Sequence, residues 1–235
     1  YLSMALGAGE TTLIKITAAY GQLVNGGLKV SPSLIDRVQD RYGKTIMRHD
    51  NRRCRDCVVS SGWKKQNVPI LPDDREHLTD PASAYQIITM LEGVIKRGTG
   101  RKLQETGLVL AGKTGTTNKQ TDAWFVGFTP EISMGVWIGM DDKRVRLGKN
   151  SYGSSTALPI FAKTMKQIYE IGDYYLLGNK YDLDPSNDAW EYIPNGVSKI
   201  KICNDKNSEI CIANKFCRQS YNELFLEDFE PIECN

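Results

Sequence analysis

No stretch of the chain holds about eighteen apolar residues in a row, the least a helix needs to cross a bilayer, and no signal peptide is read at Tyr1. Any membrane anchor is therefore expected outside this sequence. Charge of one sign is also missing: the formal net charge is +2 at pH 7, too small to argue for nucleic acid or an anionic membrane as partner. Histidine is scarce. His49 sits beside Arg48 and Asp50, and His77 follows Asp73-Asp74-Arg75-Glu76, so both read as solvated groups and a histidine triad is not supported. Cysteine is absent from the apolar segments. Nothing in the sequence calls for a cofactor.

What remains is an ordinary apolar fraction on 235 residues, enough to bury a sizeable core. Thr11 or Thr12 can cap a helix running to about Asn25, with Leu13, Ile16, Ala19, Tyr20 and Leu23 on one stripe and Gly26-Gly27 ending it. Residues 33–40 and 44–48 look like a hairpin turning at Arg41-Tyr42-Gly43. Residues 50–80 are polar and irregular and read as a surface excursion. Asp80-Pro81 starts a strong helix with Ala84, Ile87, Ile88, Leu91, Val94 and Ile95 at core spacing, stopped by Gly98-Thr99-Gly100.

Leu108-Val109-Leu110-Ala111 reads as a buried strand entering Lys113-Thr114-Gly115-Thr116-Thr117, and residues 123–128 and 132–138 read as two more strands turning at Thr129-Pro130-Glu131. Together they predict an antiparallel meander. A loop over 141–156 leads to a helix over 158–171, and strands over 197–203 and 210–213 suggest a hairpin appendage. The fold class is thus α+β, an antiparallel sheet with packed helices. Residues 1–172 form its main body, and 173–235 a small β-rich, cysteine-containing appendage.

The chemistry concentrates at residues 113–117. Lys113 is a compact cation able to attract a carboxylate, and the Thr114 and Thr116 hydroxyls can bond that carboxylate. Gly115 lets a substrate backbone lie close. A strand edge here offers N–H groups to an extended peptide and to an oxyanion. Residues 107–114 also spell G-x-x-x-x-G-K-T, the pattern of a phosphate-cradling loop, but Leu-Val-Leu-Ala inside it favours a strand and the next segment leads to another strand. That context opposes nucleotide binding.

The six cysteines allow fifteen pairings, among which locality favours Cys54 with Cys57, Cys203 with Cys211 and Cys217 with Cys234. Disulfides fit an oxidising space such as a periplasm. A zinc site needs two close ligand pairs and only Cys54-Arg55-Asp56-Cys57 qualifies, so no metal is expected.

Beyond one box, the chain resembles the transpeptidase domain of class A (bifunctional) penicillin-binding proteins. The likeness rests on Leu6-Gly7-Ala8-Gly9-Glu10 with Ala18-Ala19-Tyr20 and Asn25-Gly26-Gly27, on Arg97-Gly98-Thr99-Gly100, on Lys113 to Asn118, on Asp122 to Gly127, and on Trp137-Ile138-Gly139, in the family's order over residues 1–172. The resemblance implies part of a β-lactamase/transpeptidase-like fold. It implies a peptidoglycan DD-transpeptidase on the periplasmic side of the inner membrane, cross-linking stem peptides through a serine acyl-enzyme and binding β-lactams. Lys113 and Thr116 would be catalytic, with Lys113 linked to the nucleophile's proton network and the Thr116 N–H forming half of an oxyanion hole. Thr114, Gly115 and Thr117 would bind substrate.

In that family the nucleophilic serine, its lysine and an S-x-N box precede the region that residues 2–27 resemble. They are expected in an N-terminal remainder of the same protein, with the isolated chain unable to acylate. Ser61-Gly62-Trp63-Lys64 and Ser220-Tyr221-Asn222 match those boxes only in letters, since the first lies in a polar stretch beside glycine and the second follows the Lys-Thr-Gly strand. Two other readings stay open: a non-catalytic module binding peptidoglycan or a partner, and part of a β-lactamase or DD-carboxypeptidase in which water replaces the acceptor amine.

Overall fold

The computed structural model describes residues 2, 4, 7, 9–52, 72–142, 144–172, 194–203 and 210–234. Thr12 begins the first helix by accepting the Lys15 N–H on its hydroxyl at 3.4 Å, and α1 spans Leu13–Val24. Gly27 follows at φ +84°, the left-handed turn the glycine pair predicts. The hairpin is shorter than expected: β1 (Arg37–Gln39) pairs with β2 (Thr45–Arg48). Asp80 caps α2 (Pro81–Arg97) by accepting the Ser83 N–H at 2.8 Å, and Lys96 and Arg97 lie where the helix dipole favours cations.

Residues 108–110 do not form the expected strand. A 3-10 helix over Arg101–Thr106 ends at Gly107, whose φ of +71° reverses the chain, and β3 starts only at Ala111 and runs to Thr116. Leu108 to Leu110 instead carry the chain from that turn into the sheet, with Leu110 buried beside Leu103. β4 (Asp122–Phe128) and β5 (Ser133–Gly139) complete an antiparallel meander in the order β3-β4-β5. The strand at 111–116 and the turn into β4 leave no helix directly after residue 114, where a phosphate loop requires one.

Alternation along the strands divides the core into two layers. Phe125 faces α3 (Leu158–Gly172), its ring edge-on to Phe161 at 4.7 Å between centroids, within a cluster of Ile95, Leu103, Leu110, Ala157, Leu158 and Met165. Phe128 faces the other way and meets Ala111, Ile88 and the Tyr20 ring of α1 at 6.1 Å. Each such side chain contributes about 1.5–3 kcal/mol by leaving water. α2 supplies Ile88 to one layer and Ile95 to the other, so it braces the β3 side of the sheet in both. A π-helical turn at Gly153–Ala157 precedes α3 where a loop is expected. Tyr169 of α3 donates to Glu131 at 2.8 Å, and burial pushes its hydroxyl pKa well above the ordinary range.

The C-terminal tract is β-rich, and its first strand has a longer partner than the expected hairpin supplies. β6 (Val197–Cys203) pairs along its whole length with β7 (Ser220–Leu226), while Ile212 makes only isolated bridges to Ile202 and Glu233. Residues 210–213 do return against β6, with the Cys203 N–H donating to the Cys211 carbonyl at 2.9 Å and the Ala213 N–H to the Lys201 carbonyl at 2.8 Å, while β7 takes the full ladder. This topology also changes the disulfides. Cys203 bonds Cys217, just before β7, and Cys211 bonds Cys234, in place of the expected Cys203–Cys211 and Cys217–Cys234 pairs. Cys54 with Cys57 falls outside the described residues. The hairpin packs on α2, where Gln86 Nε2 donates to the Leu224 carbonyl at 3.2 Å and Arg97 lies 3.5 Å from the Glu223 carboxylate.

Non-reducing peptide mapping is expected to recover Cys203–Cys217 and Cys211–Cys234 linkages. Replacing either pair by serines should lower stability by about 2–4 kcal/mol in denaturant titration. A Cys203–Cys211 peptide would contradict both linkages.

Candidate active site

The Lys-Thr-Gly sequence lies on β3, the last strand on its side of the sheet among the described residues. Its pairing with β4 is fixed residue by residue, from Ala111 opposite Phe128 to Thr116 opposite Ala123. The ladder continues one step beyond, where the Thr117 N–H donates to the Asp122 carbonyl at 3.2 Å. In an antiparallel pair the hydrogen-bonded positions alternate. Residues 113 and 115 therefore bond to β4, and the N–H and C=O groups of Thr114 and Thr116 point away from it. Ala111 and Gly112 are buried, whereas Lys113 and Thr116 are exposed and Thr114 and Gly115 half-buried. The strand emerges from the core at the residues that carry its chemistry.

Each of those side chains is placed by a neighbour. Lys113 Nζ donates to the Thr114 carbonyl at 2.9 Å, which holds the cation along the open edge. Thr114 Oγ1 lies 2.8 Å from Thr99 Oγ1, just beyond the C-terminal end of α2. Thr116 Oγ1 accepts the Gly153 N–H at 3.0 Å. Thr117 stands at the strand end with its oxygen committed to the turn, accepting the N–H groups of Thr121 and Asp122, each at 3.0 Å. Asp122 in turn accepts from Trp137 Nε1 at 3.0 Å and from the Thr121 hydroxyl at 2.8 Å, so the turn is tied to β5.

Glycine is required here for two different reasons. Gly115 shares a sheet face with Trp124, and a Cβ on it would stand 3.1 Å from the Trp124 Cβ, so even alanine would crowd that face. Gly153 packs on the backbone itself. A Cβ there would meet the Trp124 carbonyl oxygen at 2.4 Å and the Gly115 carbonyl oxygen at 2.6 Å, neither of which can swing aside.

Lys113 to Thr116 share one strand as the sequence suggests, with Thr117 one residue past its end, but the sequence assigns no role to Thr99, Gly153 or the Asp122–Trp137 pair. Thr99 stands in a quoted Gly-Thr-Gly stop. Gly153 carries no local signal, because its need arises from a strand 37 residues earlier in the chain. Of the two letter matches, Ser220-Tyr221-Asn222 lies on β7 of the appendage, and Ser61 falls outside the described residues. His49 and His77 are both exposed. Among the described residues no group of three or more His, Cys, Asp or Glu side chains could hold a metal ion.

An open strand edge with a cation and two hydroxyls beside it can grip an extended peptide and its carboxylate. An outward N–H at Thr116 can donate to a developing oxyanion. The fold is of the α+β class, with this edge as its candidate site. Residues 1–166 match the family described as penicillin binding protein transpeptidase domain, and the chain belongs to that family.

Among its curated relatives, penicillin-binding protein 1A of Rickettsia bellii (strain RML369-C) is 44% identical over 169 residues, 72% of this chain and 21% of the relative. Penicillin-binding protein 1A of Neisseria gonorrhoeae is 39% identical over 166 residues, 70% of this chain and 18% of the relative. The chain thus spans about a fifth of the length of the curated relatives it matches. The crystal structure of penicillin-binding protein 1A from Haemophilus influenzae has the same fold, with a TM-score of 0.71 over 99% of this chain and 34% of that one, at 23% identity. Penicillin-binding protein PonA1 from Mycobacterium tuberculosis gives a TM-score of 0.54 at 25% identity, over 70% of this chain and 40% of that one.

Gly153→Ala is expected to destabilise the protein by about 1–3 kcal/mol, because an added methyl group must push the π-helical turn off β3. Urea denaturation measures it. An unchanged midpoint would mean that the turn does not rest on the strand.

Proposed function

We propose that this chain is the C-terminal part of a peptidoglycan DD-transpeptidase, carrying the strand that binds the stem peptide. Residues 1–172 belong to the catalytic domain and 173–235 to an appendage. The observation that carries the reading is the alternation on β3: the backbone groups of Thr114 and Thr116 face outward, with Lys113 held beside them. In this role the stem peptide adds as one more antiparallel strand against β3. Its terminal carboxylate, or that of a β-lactam, meets Lys113 and the hydroxyls of Thr114 and Thr116. The Thr116 N–H then donates to the tetrahedral oxyanion, matched by a second N–H from the nucleophilic serine.

The serine belongs to an N-terminal remainder of the same protein, which completes the cleft. Gly115 admits the substrate backbone, and Thr117 acts through the turn that fixes the strand end. The paired cysteines of the appendage suit the oxidising periplasm, on the outer side of the inner membrane. No helix among the described residues is long and apolar enough to cross a membrane.

In the full-length protein, Lys113→Ala should reduce covalent labelling by a fluorescent penicillin about 10- to 100-fold, the size of a lost charge-assisted hydrogen bond. Thr116→Val should reduce it in the same direction. Labelling rates measured by gel fluorescence decide the matter, and unchanged rates in both variants would refute the proposed roles.

A further inference from the structure

Between the end of α2 and the start of β7 lies a polar cavity of about 680 Å³, lined by Arg97, Arg218, Gln219, Ser220 and Tyr221. Two guanidinium groups, an amide and two hydroxyls form its wall. Glu223 offsets part of the charge through its 3.5 Å contact with Arg97, but that contact is long and half of the Arg97 side chain remains exposed (53%). Arg97 is also held over the Tyr221 ring at 5.2 Å. Guanidinium pairs with hydroxyls beside them are suited to a carboxylate, which they can bond through parallel N–H groups.

The cavity adjoins the site described above. Arg97 is followed by exposed Gly98 and Thr99, and Thr99 Oγ1 lies 2.8 Å from Thr114 Oγ1. The Cα atoms of residues 97 and 99 are within roughly 7 Å of each other. The wall is also fixed: Arg218 directly follows Cys217, which is bonded to Cys203, and Ser220 and Tyr221 are in register with Cys203 and Ile202.

We infer that this cavity is a subsite for a carboxylate of the acceptor peptide, the peptide whose amine attacks the acyl-enzyme. The inference rests on the transpeptidase reading. In acyl transfer, the attacking amine enters where the leaving amine departed, beside the group that binds the leaving residue's carboxylate. Thr114 is one of the groups proposed to bind that carboxylate, and Arg97 of the cavity wall stands two residues before Thr99, whose hydroxyl meets that of Thr114. The acceptor nitrogen forms the new amide bond to the acyl carbon, the ester C–O bond to the serine breaks, and the amine proton passes to the departing serine oxygen. An acceptor anchored by its carboxylate holds its amine in place and competes better with water.

The test uses the full-length protein, a labelled stem-peptide donor and two acceptor peptides that differ only in a free or an amidated carboxylate. The readout is the ratio of cross-linked to hydrolysed product per acyl-enzyme formed. The unmodified protein is expected to favour the free carboxylate about tenfold, and Arg218→Ala and Arg218→Glu to lose that preference. Equal use of both acceptors by the unmodified protein, or an undiminished preference in folded Arg218 variants, would overturn the subsite alone. If the unmodified protein forms no acyl-enzyme with donor or penicillin, the transpeptidase reading falls and the subsite with it.

Discussion

A strand in an antiparallel sheet directs its backbone groups alternately to its two sides, and among the described residues β3 has a strand on one side only. That asymmetry creates a binding edge without any special residue. What the sequence must supply is register: Lys113, Thr114 and Thr116 have to stand at the positions where one set of groups is bonded to β4 and the other is left outward. A slip of one residue would bury the outward groups against β4 and turn every side chain to the opposite face. The chemistry of the site is therefore a consequence of strand pairing, and the remainder of the molecule holds that pairing in place.

Three separate contacts do this. Phe125 and Phe128, three residues apart on β4, enter opposite layers, so any slip would tear both layers at once. At the far end, Thr117 gathers two N–H groups of the turn while Trp137 and Thr121 fix Asp122. Gly153 presses backbone on backbone across the Gly115–Trp124 pair and bonds the Thr116 hydroxyl, fixing its direction. Buried aromatic residues set the register, and polar contacts then aim the side chains.

Much of this was legible in the sequence where the signal is local. Thr12 and Asp80 cap the helices expected there, the apolar spacings of α2 and α3 match their buried faces except at exposed Ile87, and the apolar runs of β4 and β5 mark strands. The failures share one cause. Leu108 to Leu110 look like a strand because they are apolar, but what orders them is the left-handed turn at Gly107 and a core position for Leu110, and a buried connection carries the same composition as a buried strand. Residues 210–213 meet β6 as their apolar run suggests, but its full-length partner, Ser220 to Leu226, alternates with polar residues and lies farther along. The disulfide error followed from that topology. Thr99 and Gly153 were unreadable as site residues because their meaning lies in partners 15 and 37 positions away.

The same helix joins the appendage to the substrate strand. Through Gln86 and Arg97, α2 holds β7, and through Ile88 and Ile95 it enters both core layers before reaching Thr99 beside Thr114. Arg97 alone would swing freely on an exposed helix end and lose much of its binding power to side-chain entropy. Stacked on Tyr221 and set against Glu223, it is held against β7. The disulfides serve this purpose more than they serve the core, since they bind the β6–β7 hairpin to its own connections and leave the main sheet untouched. A hairpin too small to be stable alone is thereby held together beside α2.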